Sequence, residues 1–424
     1  MEPFRIGIAG LGTVAQGVLS VLGRNAELIE SRAGRAIQVV AVASRSAKPV
    51  DLLGADFTTD VHELVTRNDV DAVVELIGGE DTALELVRGS LQAGRSVVTA
   101  NKAILAGYGQ ELFDAADASG AGLGLEASVA GGIPVIAALS NGLSANAVSG
   151  IAGIINGTCN YILTAMSDEG QAFETALATA QELGYAEADP TFDIGGIDAA
   201  HKLTILSALA FGTPFEREAV ITEGIEAITS QDIRDADELG YRIKHLGIAR
   251  RTELGIEARV HPTFVPKDVL IANVNDVMNA VEVFGDATGS TLYYGPGAGG
   301  EATASAVIAD IVSLARGDRT PRVAAGEAPR WVPVEALVSA AFLRIPVKDE
   351  PGVFAKIATV LSEHGISIES AVQRERAIAD QKVPIVVVTQ PVIEREILAA
   401  LAALEALPEV VGEVRRVRVE HLDG

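Results

Sequence analysis

Apolar runs alternate with helix-spaced amphipathic stretches through the first third of the chain. FRIGIA (4–9) and IQVVAVAS (37–44) have the continuous hydrophobic pattern of buried strands, and the residues after the first glycine turn have the spacing of a helix. Strands and helices that alternate in this way predict an α/β fold with a Rossmann-type, doubly wound parallel sheet. We expect this dinucleotide-binding domain to occupy residues 1–133, with a helix in 301–320 returning to pack on it.

The pattern changes between residues 134 and 300, where strands and helices follow one another without further glycine fingerprints. VSGIAGI reads as a strand, and an Asn-Gly-Thr turn after it opens a helix. Alternating segments between 215 and 295 suggest a mixed sheet whose exposed face could pair two subunits. We predict an α+β catalytic and dimerisation domain, and a homodimer or homotetramer.

A stretch rich in Pro, Arg and Ala leads into the last part of the chain. We predict a linker at 321–340 and a separate module at 341–424. The hydrophobic pattern of this module gives the element order βαββαβ, which is that of a ferredoxin-like fold.

Length, net charge and cysteine content exclude several classes of protein. The chain has 424 residues and a net charge of −24, which argues against nucleic acid or an anionic membrane as partner. A single cysteine, Cys159, excludes an intramolecular disulfide and fits a reducing compartment. No apolar run is long enough to span a membrane, and the N-terminus enters a strand pattern directly. We therefore expect a soluble, cytoplasmic protein, while the net charge says nothing about small ligands.

A glycine fingerprint joins the first strand to the first helix. It has the form Gly10-x-Gly12-x-x-Ala15 and lies in the strand–turn–helix context that dinucleotide binding requires. Glycines let the backbone approach a pyrophosphate, and the N–H groups at the helix N-terminus, from Thr13 and Val14 onward, receive it. A glycine turn without a ligand is the alternative interpretation.

The end of the second strand indicates which dinucleotide binds. NAD-selective proteins usually have an acidic residue there, whereas this chain has Ser44 and Arg45, which suit a 2′-phosphate. We therefore predict NADP as the cofactor, with NAD as the alternative. Arg45 could also be an ordinary surface charge without a role in binding. Gly78, Thr99 and Lys102 follow later strands and should face the same crevice.

The segment Gly184–Lys202 combines a turn-rich loop with the start of a helix. Asp198 and Lys202 are four residues apart and share one helix surface. Taken alone, the segment also fits a solvated acidic loop followed by a surface ion pair. Four carboxylates precede the lysine: Glu187, Asp189, Asp193 and Asp198.

Several motifs together resemble those of homoserine dehydrogenases. TANKAIL, GIPVI, GTCNYIL and GYAEADPTFDIGGIDAAHK occur in that family's order, and the resemblance covers roughly residues 4–320. The last part of the chain resembles ACT domains, and the whole resembles the monofunctional form of the enzyme. The resemblance implies NAD(P)-dependent interconversion of L-aspartate 4-semialdehyde and L-homoserine, in threonine and methionine biosynthesis. It also implies threonine as an inhibitor acting through the ACT domain, for which a purely dimerising role is the alternative.

The resemblance also assigns roles to residues. Lys202 would transfer the proton with the help of Lys102, while Glu187 and Asp198 would bind the substrate ammonium. A sodium-like monovalent cation would join the first two domains, although a plain helix-entry turn would explain the same sequence. The further substrate contacts would be Asp193, Tyr185, Thr158 and Lys102. The further cofactor contacts would be Gly184, Gly300 and Glu301. The cation ligands would be Glu126, Val129, Gly131 and Ile133.

Two other functions remain open at this point. Cys159 near a bound NADP could form a thioester, as in aspartate-semialdehyde dehydrogenase. A regulatory protein could bind an amino acid through 341–424 and the cofactor only as a signal. The paired lysines favour the alcohol dehydrogenase, and we interpret Cys159 and the neighbouring His201 as packing residues.

Overall fold

Six parallel strands form the first sheet, in the spatial order β3-β2-β1-β4-β5-β6. This is the strand order of a doubly wound dinucleotide-binding fold, so the predicted Rossmann-type sheet is confirmed. The computed structural model describes residues 2–318, 321, 323, 328–373 and 382–422. The strands are β1 (Phe4–Ala9), β2 (Ile37–Ala43), β3 (Asp56–Thr58), β4 (Ala72–Glu75), β5 (Ser96–Thr99) and β6 (Leu123–Gly124).

The helices of this domain bury one apolar face each against the sheet. In α1 (Thr13–Arg24) the buried residues Ala15, Val18, Leu19 and Leu22 recur every three to four positions. The other helices are α2 (Ala26–Ala33), α3 (Glu63–Thr66), α4 (Asp81–Gln92) and α5 (Lys102–Ser119).

A helix from much later in the chain, Gly300–Arg316, packs against α1 as expected. The contact is close because a Cβ on Gly17 would lie 2.6 Å from the Gly300 carbonyl oxygen. Only glycine allows this approach of two helix backbones. The helix therefore closes the first domain although its sequence follows the second.

The second domain contains a mixed sheet covered by helices. Its strands are β7 (Val148–Ile154), β8 (Ile221–Thr222), β9 (Tyr241–Thr252), β10 (Gly255–Pro266), β11 (Met278–Gly285) and β12 (Gly289–Pro296). Its helices are α6 (Val135–Ala137), which a π-helical turn at Ala138–Gly142 extends, α7 (Gly157–Asp168), α8 (Phe173–Glu182), α9 (Thr191–Ile194), α10 (Ile197–Phe211) and α11 (Ser230–Glu238). The returning helix Gly300–Arg316, which belongs to the first domain, is α12. The predicted α+β architecture is confirmed.

The C-terminal module has the predicted βαββαβ order. Within its sheet the strands lie in the order β17-β13-β15-β14, as in a ferredoxin-like fold. Its elements are β13 (Val338–Lys348), α13 (Val353–Glu363), β14 (Ile368–Gln373), β15 (Lys382–Thr389), β16 (Val392–Ile393), α14 (Glu394–Glu405) and β17 (Arg415–Val419).

This module differs from the expected separate unit because its sheet continues that of the second domain. Strand β17 pairs in parallel with β10, where Phe264 is opposite Val419. The rings of Phe264 and Phe342 stack with centroids 4.7 Å apart, inside a hydrophobic cluster shared by both domains. Hydrophobic patterning reveals which face of a strand is buried but not which strand it pairs with, so this continuity was missed.

The expected linker is also partly structured. Trp331 forms a β-bridge with Ile256, and β13 begins at Val338, within the range predicted as linker. Residues 319–320, 322 and 324–327 of this region lie outside the described residues. Among the helices that the structure describes, none is both long and apolar enough to cross a membrane.

Buried ion pairs reinforce the joint between the second and third domains. Arg259 is fully buried on β10 and contacts Glu257 at 2.6 Å as well as Glu420, just after β17. Glu420 also lies 2.6 Å from Arg250. A buried charge that loses its partner is strongly destabilising, so these pairs make each domain depend on the other.

We therefore predict that Glu420→Gln destabilises the whole chain. The substitution keeps the shape of the side chain but leaves Arg259 with one carboxylate, which should lower the free energy of unfolding by about 3 kcal/mol. Urea unfolding followed by circular dichroism measures this. Glu413→Gln, at an exposed position of the same segment, is the control. Equal unfolding midpoints for both variants would contradict the coupling.

Candidate active site

Two neighbouring cavities lie where the first sheet meets the second domain. The central cavity has a volume of about 550 Å³, and the strand-end cleft beside β4 and β5 has about 410 Å³. Val14, Ala100 and Lys102 line both. In open α/β sheets, ligands bind at the carboxyl ends of the strands, which is where these two cavities meet.

The glycine fingerprint has the geometry expected for a pyrophosphate. Gly10 has φ of 104°, and a Cβ there would lie 2.6 Å from the Leu76 carbonyl oxygen. Gly12 is the N-cap of α1, and a Cβ there would meet nothing within 4 Å. Thr13 and Val14 form the first turn of this helix, whose free N–H groups and positive dipole end suit a phosphate.

The residues expected to distinguish NADP from NAD follow β2, which ends at Ala43. The Ser44 amide donates a hydrogen bond to the Thr58 carbonyl, and Arg45 is exposed to solvent. An exposed guanidinium in this position is free to move onto a ligand phosphate.

Glu75, which the sequence analysis did not single out, organises the strand-end cleft. Its buried carboxylate accepts hydrogen bonds from the hydroxyl of Thr99 at 2.6 Å and from the amides of Ile77 and Gly78. Burial raises the pKa of this carboxyl group above its ordinary value. Thr99 therefore faces Glu75 rather than the cleft. A carboxylate ending an apolar strand, as in AVVE, was the signal available in the sequence.

Asn101 fixes the start of α5 and thereby the position of Lys102. Its side-chain oxygen accepts hydrogen bonds from the amides of Ala103 and Ile104, and its nitrogen donates to the Gly79 carbonyl at 2.6 Å. This is an ordinary N-cap that also joins two neighbouring strand ends. An asparagine directly before a helix pattern could have indicated it.

Asp198 lies between the two lysines. Its carboxylate oxygens are 2.9 Å from Lys102 Nζ and 2.7 Å from Lys202 Nζ. Although burial opposes ionisation, Lys202 and Lys102 lower the pKa of this carboxyl group well below its usual range. Lys202 also donates to the Ile155 carbonyl at 2.7 Å. The sequence predicted the Asp198–Lys202 contact, whereas the approach of Lys102 depends on the tertiary fold.

A second carboxylate, Asp193, is connected to the first through Asn156. The Asn156 side-chain nitrogen donates to Asp193 at 2.8 Å and to Asp198 at 2.9 Å. Burial raises the pKa of Asp193, and the neighbouring Asp198 acts in the same direction. Asn156 belongs to the predicted Asn-Gly-Thr turn, and its role as a bridge between two carboxylates could not be predicted from the sequence.

The loop before α9 is exposed. Gly184 and Tyr185 line the central cavity, and the Thr158 hydroxyl donates to the Tyr185 carbonyl at 2.7 Å. Glu187 is exposed and is not among the residues that line the cavity. The structure therefore brings together five of the six expected substrate contacts and leaves Glu187 outside.

The expected cation site lies at the turn before α6. The two carboxylate oxygens of Glu126 accept hydrogen bonds from the amides of Ile136 and Ala137 at 2.8 and 2.7 Å. Burial raises the pKa of this carboxyl group. Each oxygen retains further lone pairs, so a hard cation with added carbonyl ligands from Val129, Gly131 and Ile133 is compatible with the contacts. Among the described residues, no cluster of three or more His, Cys, Asp or Glu side chains could hold a metal.

Comparisons with known proteins show which family the chain resembles along its whole length. Family models match a homoserine dehydrogenase NAD-binding domain at residues 10–126, a homoserine dehydrogenase domain at 134–312 and an ACT domain at 341–409. The homoserine dehydrogenase of Pseudomonas aeruginosa is 54% identical over the full length of both chains. The chain belongs to the homoserine dehydrogenase family.

Solved structures of homoserine dehydrogenases extend the comparison. The enzyme from Thiobacillus denitrificans has a TM-score of 0.93 and 50% identity, covering 99% of each chain. A hyperthermophilic archaeal homoserine dehydrogenase in complex with NADPH has a TM-score of 0.65 and 28% identity, covering 76% of this chain and 100% of its own. The family is one of oxidoreductases, and the match spans the whole chain.

Two of the residues expected from the family to contact the cofactor, Gly300 and Glu301, do not line either cavity. Gly300 packs against the first turn of α1, where a Cβ would be 3.1 Å from the Thr13 side chain. Glu301 accepts two hydrogen bonds from Arg24 on the surface. Both residues hold α12 against α1, and neighbouring Gly297, Ala298 and Gly299 line the central cavity instead.

The thiol chemistry of the alternative aldehyde dehydrogenase does not fit this homoserine dehydrogenase site. Cys159 is fully buried, and burial raises the pKa of its thiol well above the ordinary value. Since the thiolate is the nucleophile, this cysteine is a poor candidate. His201 is also buried, and its ring meets the edge of Phe192 at 5.5 Å, in agreement with a packing role.

Proposed function

We propose that this chain interconverts L-aspartate 4-semialdehyde and L-homoserine with NADP(H), and that Lys202 transfers the proton. The observation that supports this most directly is the Lys102–Asp198–Lys202 arrangement beside the first turn of α1. NADPH, when bound, supplies a hydride to the aldehyde carbon. The charge that develops on the aldehyde oxygen then requires a proton donor.

Lys202 meets this requirement because its hydrogen bonds leave one proton for the substrate. An ammonium group has three N–H donors. Among the described residues, Asp198 and the Ile155 carbonyl accept two of them, so the third is available to the aldehyde oxygen. Lys102 lies on the other side of Asp198, where it holds substrate and assists the proton transfer.

The contacts of Asp198 alter the role expected for it. Its oxygens already receive Lys102, Lys202 and Asn156, so we propose that it positions the lysines rather than binding the substrate ammonium. Asp193 is then the nearest carboxylate for the ammonium. Glu187 stays proposed as a second contact for the ammonium, although it lies outside the cavity in this structure.

We predict that Lys202→Ala lowers kcat by 10²-fold or more, the usual contribution of a general acid. The affinity for NADPH, measured by fluorescence titration, should stay within about twofold because the cofactor binds through the first domain. Lys267→Ala, at an exposed ion pair with Asp237, is the control for loss of a lysine. A Lys202 variant that retains most of its turnover would refute the assignment.

We also propose NADP as the preferred cofactor, with Arg45 and Ser44 holding the 2′-phosphate. The archaeal relative in complex with NADPH supports this choice. A charge-assisted hydrogen bond contributes about 1.5–3 kcal/mol. Arg45→Ala should therefore raise KM for NADP about 10-fold or more and leave KM for NAD unchanged, since NAD lacks the phosphate. An equal change for both cofactors would contradict the assignment.

The ACT domain is proposed to bind threonine at the turn before α13, between two copies of the chain. Asp349 and Glu350 are exposed there, and Gly352 caps the helix with φ of 89°. Because this domain shares a core with the second, the test requires the full chain rather than a truncated one. Threonine should inhibit homoserine oxidation, and Asp349→Ala should weaken inhibition without changing kcat. Equal initial rates with and without threonine would contradict threonine binding, and the dimerising role would then be the remaining interpretation of this domain.

A sodium-like cation at Glu126, Val129, Gly131 and Ile133 completes the proposal. It would fix the turn between the first and second domains. Exchange of sodium for choline should then lower the unfolding temperature, and an unchanged temperature would count against the site.

A further inference from the structure

Glu75, the last residue of β4, is a buried carboxylate that the proposed mechanism leaves unused. Its side chain is fully buried, and the three strand residues before it are apolar and buried as well. Burying a carboxylate opposes folding unless hydrogen bonds replace those of the lost water. An apolar residue would complete this strand without that penalty, so the contacts of Glu75 indicate the role of its charge.

Both carboxylate oxygens of Glu75 accept hydrogen bonds from the ends of neighbouring strands. One oxygen accepts from the amides of Ile77 and Gly78, at 2.9 and 3.1 Å, in the segment that follows β4. The other accepts from the hydroxyl of Thr99, the last residue of β5, at 2.6 Å. The side chain thereby joins the segment after β4 to the end of β5.

The Thr99 hydroxyl extends this connection to the residue before Lys102. Its oxygen accepts a hydrogen bond from the Asn101 amide at 3.0 Å. Because a backbone amide can only donate, the hydroxyl proton remains available for Glu75, and the two hydrogen bonds fix the hydroxyl in one orientation.

Asn101 has its second contact in the segment after β4. Its side-chain nitrogen donates to the Gly79 carbonyl at 2.6 Å, and its side-chain oxygen caps α5. Gly78 and Gly79 have φ of 68° and 75°, which is a left-handed turn, and Glu75 holds this turn through the Gly78 amide. Glu75 therefore holds both partners of Asn101, the Thr99 hydroxyl and the Gly79 carbonyl.

The residue that depends on this arrangement is Lys102, the first residue of α5. Its ammonium reaches from the first domain to Asp198 of the second at 2.9 Å, and its side chain is 34% exposed, against 11% for Lys202. A lysine side chain that is enclosed so little retains much of its rotamer freedom. The place and direction of its backbone therefore decide whether the ammonium reaches Asp198.

We propose that Glu75 is a positioning residue whose carboxylate holds the start of α5, so that Lys102 reaches Asp198. This inference rests on the proposed homoserine dehydrogenase activity and adds a residue that acts on it through Lys102. Glu75 makes no contact with the substrate in this scheme and takes no part in proton transfer.

Glu75→Gln tests the role of the charge without changing the size of the side chain. With its oxygen toward the Ile77 and Gly78 amides, its nitrogen faces a Thr99 hydroxyl that can no longer donate to it. The variant should lower kcat/KM for homoserine about 10-fold or more, the value of one hydrogen bond to a charged group. The Kd for NADP should change by less than about twofold, because its phosphates bind at the first turn of α1.

Two kinds of variant accompany this one. Thr99→Val removes the hydroxyl and should also lower kcat/KM, whereas Thr99→Ser keeps the hydroxyl and should lower it less; equal losses would contradict the inference. Asp71→Asn is the control, since it removes a carboxylate that pairs with Arg5 directly before the same strand. Thermal unfolding shows whether the variants fold, and Thr99→Val replaces Glu75→Gln in the measurements below if the latter does not.

The deciding measurement combines Glu75→Gln with Lys102→Ala. If Glu75 acts through Lys102, the double variant should have the kcat/KM of Lys102→Ala alone, within about twofold. Losses that multiply would show a merely structural role, and a weaker Kd for NADP alone would place Glu75 against the cofactor. Either result overturns the inference.

A crystal structure of Glu75→Gln provides a measurement that does not depend on activity. The Lys102 ammonium should lie farther than about 4 Å from Asp198, beyond the range of an ion pair. A distance unchanged from 2.9 Å would refute the positioning role. If the wild type does not oxidise homoserine, the proposed function fails, and this distance still decides the inference.

Discussion

The pairing of the buried Asp198 carboxylate with Lys102 and Lys202 is the interaction on which the rest of the site depends. Asp198 is 4% exposed, and a carboxylate so deeply buried persists as an anion only when it is paired and hydrogen-bonded. The ammonium groups of Lys102 and Lys202 pair with this carboxylate, and the Asn156 amide donates a hydrogen bond to it. Its place in the first turn of α10 adds the favourable end of a helix dipole. The pairing thereby joins α5 of the first domain to α10 of the second.

The position of α10 in turn depends on the turn before it. Gly196 caps the helix with φ of 85°, a conformation that other residues rarely adopt. A Cβ there would lie 3.0 Å from the Thr222 side chain and 3.3 Å from the Glu223 carbonyl. The helix that carries both Asp198 and Lys202 therefore starts directly on the segment after β8. The geometry of the reacting groups is set by backbone packing as well as by charge.

The sequence predicted the features that local spacing determines. The fingerprint turn, the helix that begins before Asp198 and the Asp198–Lys202 contact all follow from residues within one or two turns of each other. Contacts between distant segments were accessible only through the family resemblance or not at all. Lys102 reaches Asp198 across 96 residues, and Glu301 pairs with Arg24 at the surface. Periodicity shows that a side chain is buried or exposed, but tertiary packing decides which neighbour it meets.

The interface between the second and third domains also depends on charged side chains. It connects the ACT domain physically to the site. Arg418 on β17 is 2.6 Å from Glu223 and also pairs with Glu394 of its own domain. The Glu223 carbonyl lies under Gly196, and the amide of Ile225 donates to the Ile194 carbonyl. One short segment is thus held by the ACT domain at its side chain and supports the start of α10 with its backbone. This segment is therefore the direct contact between the ACT domain and the start of the helix that carries Lys202.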